Sequence, residues 1–115
     1  MTVRILHNPR CSKSRATLAL LQEQGVDPEI ILYLETPPDS KQLADICQKL
    51  AIKPRELLRK GETEYTGLAL GNPGLSDEAL LLAMEAHPIL IERPIVLNRG
   101  KAVIGRPPEA VLKIL

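Results

Sequence analysis

A chain of 115 residues with 44% hydrophobic side chains is the size of one ordinary domain and can afford a compact core. Its 15 Lys and Arg stand against 14 Asp and Glu, which argues against a nucleic-acid partner, because coating affinity needs a large basic excess. No stretch reaches the ~18 apolar residues that span a bilayer, and no charged-then-apolar leader opens the chain, so a cytoplasmic protein with no membrane partner is expected.

Residues 2–7, TVRILH, run apolar and predict a buried strand, followed by NPRC as a turn-like loop. From Ser12 or Lys13 to about Gln24 the pattern is helical, with Leu18, Leu21 and Val26 as its apolar stripe and Gly25 as its stop. EIILYL, 29–34, predicts a second strand, and this order predicts a right-handed parallel βαβ unit. TPPD breaks the chain. Asp39 or Ser40 can then cap a helix over 40–50, whose Leu43, Ile46, Cys47 and Leu50 fall at i, i+3, i+4 and i+7. KPRELLRKG predicts a short helix with Pro54 in its first turn and Gly61 past its end. ETEYTGLALGNPG predicts a loop-rich stretch, with YTGLAL either helical or extended. Ser76 caps a helix over 77–86, with Asp77 and Glu78 set favourably against its dipole. Its ALLLAM run predicts burial, and His87-Pro88 ends it. PIVLN and KAVIG around RG predict a β-hairpin, and PPEAVLKIL a closing helix opened by Pro107 or Pro108.

With no repeat or linker, one domain over 1–115 is expected. The fold class is α/β: a βαβ unit, a helical insertion, then a β-hairpin and C-terminal helix, on a mixed four-stranded sheet. A parallel βαβ half followed by an antiparallel ββα half is the thioredoxin-like order.

The stretch HNPRCSKSR, His7 to Arg15, carries the chemistry. Cys11 stands among a proline, small polar residues and cations, whereas an inert thiol would sit among Leu and Val. It falls just before a helix N-terminus, whose open N–H groups and dipole stabilise an anion and depress a thiol below its free value of ~8.5. Arg10, Lys13 and Arg15 add cationic field. The Ser12 and Ser14 hydroxyls offer donors to the sulfur, and His7 offers a further hydrogen bond or charge if it turns toward the loop. Backbone N–H groups of 12–15 would form an anion-binding concavity.

A phosphatase-type loop needs an arginine six residues after the cysteine, where Thr17 stands. A dithiol site needs a cysteine at 14, where Ser14 stands. The site therefore has one thiol, and turnover needs an outside thiol. Cys47, on a helix's apolar stripe, reads as packed and inert. Cys11 and Cys47 form neither a CxxC pair nor a zinc-type cluster, so no metal site and no structural disulfide are expected. His7 can equally serve as a loop cap and Arg15 as a solvated first-turn residue.

HNPRCSKSR and the later ERPIVLNRGKAVIGRPPE resemble the glutaredoxin-dependent arsenate reductase family, the thioredoxin-fold ArsC type, over nearly the whole chain. The resemblance implies Cys11 as nucleophile, with His7, Ser14 and Arg15 supporting it. It implies Arg93, in Arg-Pro-Ile-Val, and Arg106, in Gly-Arg-Pro, as oxyanion ligands, and Arg59, in an LLR stretch, as a third. It implies a cis Pro94 that aims Arg93 at the site. The substrate would be arsenate, with glutathione as co-substrate, glutaredoxin as partner, and no bound cofactor or metal. About one helix follows Arg106, where fuller arsenate reductases carry a longer tail, so the chain is similar to short arsenate-reductase-like members.

Two alternatives come from other classes. A glutathione-linked thiol oxidoreductase acting on another substrate would lack arsenate turnover. A thioredoxin-fold regulator that binds RNA polymerase usually has a CxxC switch, which Ser14 removes, and keeps fewer of the arginines.

Overall fold

A computed structural model describes residues 2–115. Its contacts form two units, one from the chain's two ends (up to Thr36 and from Arg93 onward) and one from Pro37–Glu92.

The first unit holds the sheet. Strands β1 (Arg4–Leu6), β2 (Glu29–Ile31), β3 (Ile95–Asn98) and β4 (Lys101–Ile104) lie in the order β2-β1-β3-β4. β1 and β2 are parallel, joined through helix α1 (Ser12–Glu23), while β3 runs antiparallel to β1 and β4. This is the mixed four-stranded sheet expected. The central strands explain the unbroken apolar runs: Ile5 pairs with Val96 on one face and Leu6 with Ile95 on the other, and all four are buried. Ile5, Leu21, Val96 and Val111 form a core that Leu18, Val26, Val103 and Ile114 partly cover. Arg99 and Gly100 both take positive φ (53 and 77) between β3 and β4, as a tight primed hairpin turn requires.

Three expectations change. The second strand covers only three residues and is an edge, with Ile30 46% exposed. The buried positions of α1 are Ser14, Thr17 and Leu21 rather than a purely aliphatic stripe, because hydrogen bonds satisfy the two hydroxyls. The closing helix is a 3₁₀-helix, Pro108–Ile114. Its first turn closes with an i→i+3 bond, Ala110 N–H donating to the Pro107 carbonyl at 3.0 Å.

The second unit is helical: α2 (Ser40–Leu50), α3 (Pro54–Leu57), α4 (Thr63–Gly67), α5 (Asp77–Ala86) and a 3₁₀ turn, Pro88–Leu90. The YTGLAL segment is thus helical in part. Asp39 caps α2 by accepting from Gln42 N–H at 2.8 Å, and Gln42 Oε1 accepts from Asp39 N–H in return. Ser76 caps α5. α2, α3 and α5 pack on one another, with Leu43, Ile46, Cys47, Leu57, Leu80 and Met84 buried. The ALLLAM run is not wholly buried. One helix face points inward, so Leu80 and Met84 at i and i+4 are covered while Leu82 is 50% exposed. Among the described residues no helix is long and apolar enough to cross a membrane.

Candidate active site

Strand register gathers three distant segments at one end of the sheet. β1 runs out at Leu6, opposite Ile95 at the start of β3, which is opposite Ile104 at the end of β4. The segments just beyond these positions are His7–Cys11, Arg93-Pro94 and Gly105-Arg106. Arg93-Pro94 is cis, as is Arg106-Pro107.

Cys11 is the N-cap of α1, in extended conformation, and its N–H donates to the Asn8 carbonyl at 3.0 Å. Burial pushes its thiol up. Against this act the backbone N–H of Ser14, a hydrogen bond from the Arg93 side chain, the backbone N–H of Lys13 and the Arg93 charge, which together bring the thiol below its ordinary value. Arg106 Nη1 lies 3.9 Å from Cys11 Sγ and donates to the Arg93 carbonyl at 3.2 Å, tying the two arginine segments together. Cys11 is partly exposed and Cys47 buried, and both are free thiols. Burial first, then the charges of Asp77 and Glu56, pushes the Cys47 thiol up to about 11, which keeps it protonated at neutral pH.

The supporting residues act differently from the expectation. Ser14 gives the sulfur its backbone N–H, while its hydroxyl accepts from Asn8 N–H at 3.0 Å and meets His7 Nδ1 at 2.6 Å. Burial and the nearby Arg15 charge hold the His7 imidazole below its ordinary value. This favours the neutral imidazole at pH 7, whose Nδ1 shares one proton with the Ser14 hydroxyl across that contact. Asn8, buried, also accepts Arg10 N–H on Oδ1 at 3.0 Å. Arg15 Nη1 donates to the Pro9 carbonyl at 2.9 Å and so braces the loop. Ser12 is exposed, as are Arg10 and Lys13. The guanidinium charge acting on the sulfur comes from Arg93, not from these sequence neighbours.

Arg59 belongs to the second unit. Its Nη1 donates to Glu92 at 2.7 Å and its Nε to Glu62 at 3.1 Å, so two carboxylates hold the fork that the resemblance assigns to an oxyanion. Among the described residues no group of three or more His, Cys, Asp or Glu is placed to hold a metal ion.

A thioredoxin-like α/β protein with one thiolate-favouring cysteine, set at a helix start and faced by two arginines, is the class that fold and site define. The sequence matches the ArsC family over residues 6–114, and the chain belongs to that family. It is 56% identical to YfgD of Escherichia coli (strain K12), a protein described as uncharacterized, over 98% of this chain and 96% of that one. It is 50% identical to a Neisseria meningitidis protein named arsenate reductase, over 98% of this chain and 97% of that one. The solved structure of an arsenate reductase from Vibrio cholerae superposes with a TM-score of 0.97 at 53% identity, covering 100% of this chain and 98% of that one.

Proposed function

We propose that this chain reduces arsenate to arsenite, with Cys11 as nucleophile and thiols from outside the chain as reductant. One observation carries the reading: a single sulfur, kept toward its anionic form, is faced by Arg93 and by Arg106 Nη1 at 3.9 Å. Relatives named arsenate reductase that are half or more identical over almost its whole length support the same substrate. Arsenate is a tetrahedral oxyanion, a mixture of mono- and dianion at neutral pH. Guanidinium forks bond pairs of such oxygens, and their charge lets an anionic sulfur approach arsenic.

The steps balance as follows. The Cys11 thiolate bonds to arsenic and displaces hydroxide, which takes a proton and leaves as water. Glutathione adds to arsenic in place of a second oxygen, which also leaves as water. A further thiol, glutaredoxin's, takes the glutathione sulfur as a mixed disulfide, and the arsenic–sulfur electron pair stays on arsenic. Water then releases arsenite and returns the Cys11 thiolate. Two outside thiols become one disulfide, and the route uses no bound cofactor or metal.

The test is arsenite formation with glutathione and glutaredoxin. Wild type turns over, Cys11→Ser falls by at least about a thousandfold, and Cys47→Ala keeps its rate. Arsenite formation that survives in Cys11→Ser would overturn the assignment.

A further inference from the structure

Thr17 is fully buried on α1. Its hydroxyl donates to the Lys13 carbonyl one turn back at 2.9 Å and points also to the Gly105 carbonyl at 3.3 Å. A Cβ at Gly105 would lie 2.6 Å from Thr17 Oγ1, 2.8 Å from Pro94 Cγ and 3.0 Å from Thr17 Cγ2, so something would have to move. Neither neighbour yields readily. Thr17 is β-branched and stiff at χ1 in a helix, and Pro94 is held by its carbonyl accepting Gly105 N–H at 2.9 Å. Three segments thus meet at a point that only a missing side chain permits. Each has a group of the site next to it. Arg93 precedes Pro94, Arg106 follows Gly105, and Lys13, whose carbonyl Thr17 holds, gives its N–H to the sulfur.

We propose that Thr17 and Gly105 are a positioning pair whose contact sets how closely the Arg93 and Arg106 guanidiniums approach the Cys11 sulfur. Neither residue touches the reacting atoms. The pair is where α1 bears on both arginine segments, so a shift of a few tenths of an ångström there is passed to both guanidiniums. The inference rests on reading Cys11 as the nucleophile.

The test is the pH dependence of Cys11 alkylation by iodoacetamide, in a Cys47→Ala background so that one thiol reports, alongside arsenate kinetics. Gly105→Ala is expected to raise the Cys11 thiol pKa by about one unit. It should also raise KM for arsenate roughly tenfold or more while the melt stays cooperative. Adding Thr17→Ala removes two of the three close atoms, so both quantities should return part of the way. Thr17→Val keeps the shape and deletes the hydroxyl, giving a smaller rise in the thiol pKa that is readable even if Gly105→Ala does not fold. Gly61→Ala, with nothing within 4 Å of the added carbon, leaves both quantities at wild-type values. A wild-type alkylation profile in Thr17→Val, or in a folded Gly105→Ala, would overturn the proposal. If the wild type forms no arsenite, the proposed reaction fails while the alkylation profiles still decide whether this pair positions the arginines.

Discussion

Arg93 supplies the charge that the residues around Cys11 were expected to supply. Arg10 and Lys13 are exposed and Arg15 is engaged with Pro9, whereas Arg93 is only 8% exposed and hydrogen-bonds the sulfur. A guanidinium shielded from water acts on its neighbour with less screening. Arg93→Ala should therefore raise the Cys11 thiol pKa by about one to two units, and Arg106→Ala, whose guanidinium is exposed at 3.9 Å, by less. Thiolate absorbance against pH in the two variants checks the order, and equal shifts would count against it. Cys11 itself was legible in the sequence, because a proline, serines and cations are the wrong neighbours for a packed thiol. The source of its charge was legible only through the Arg-Pro-Ile-Val and Gly-Arg-Pro resemblance, since strand register, not sequence distance, brings Arg93 to it. The sequence alone suggests the Ser14 hydroxyl as a donor to the sulfur. The buried His7 ring competes for it, and nothing in the spacing of two polar residues announces that bond.

At the scale of elements, what local chemistry dictates was readable and what tertiary contact dictates was not. Asp39 and Ser76 are caps because their side chains satisfy N–H groups a few residues on, a relation internal to the segment. The α1 face departs from its apolar pattern because an apolar count cannot see that Thr17 and Ser14 are covered by partners elsewhere in the chain. The surroundings of Arg59 are likewise set by tertiary contact. An antiparallel bridge, Leu58 with Ile91, is flanked by Arg59 N–H donating to Leu90 and Glu92 N–H donating to Leu57, at 2.7 and 2.9 Å. These bonds bring Arg59 near Glu92, and Glu62 completes the clasp. The three side chains are about three-quarters buried, so the clasp is screened less than a surface pair. Arg59→Ala should lower unfolding free energy by about 1–3 kcal/mol, read as a fall in the urea midpoint at constant slope. An unchanged midpoint would mean that the clasp contributes nothing to the second unit. A role confined to substrate would leave the midpoint where it is and change kinetics alone.

Across the whole molecule, the two cysteines tilt stability against pH in opposite directions. Cys11 is held below its ordinary 9.0 by the N–H groups of Ser14 and Lys13 and by Arg93, which outweigh burial. Its contribution is whole above that value and is lost as pH falls through the folded value. His7, lowered from 6.5 by burial and by Arg15, adds a loss of the same sign at lower pH. Cys47 is raised from 9.0 to about 11 by burial, with Asp77 and Glu56 adding to it. Its contribution is whole below 9.0 and is lost as pH climbs toward 11, because the unfolded chain releases that proton first. Two units correspond to roughly 2–3 kcal/mol at the alkaline limit. Urea unfolding in reducing buffer from about pH 6 to about pH 11 separates the terms. Cys47→Ala should be less stable than wild type near neutral pH, from lost packing, yet decline less above about pH 9, so that the two curves converge. Cys11→Ser should lack part of the rise that wild type shows on the approach to pH 9. Parallel wild-type and Cys47→Ala curves over the alkaline range would mean that water reaches Cys47 in the folded protein, and that α2 does not seal its apolar face.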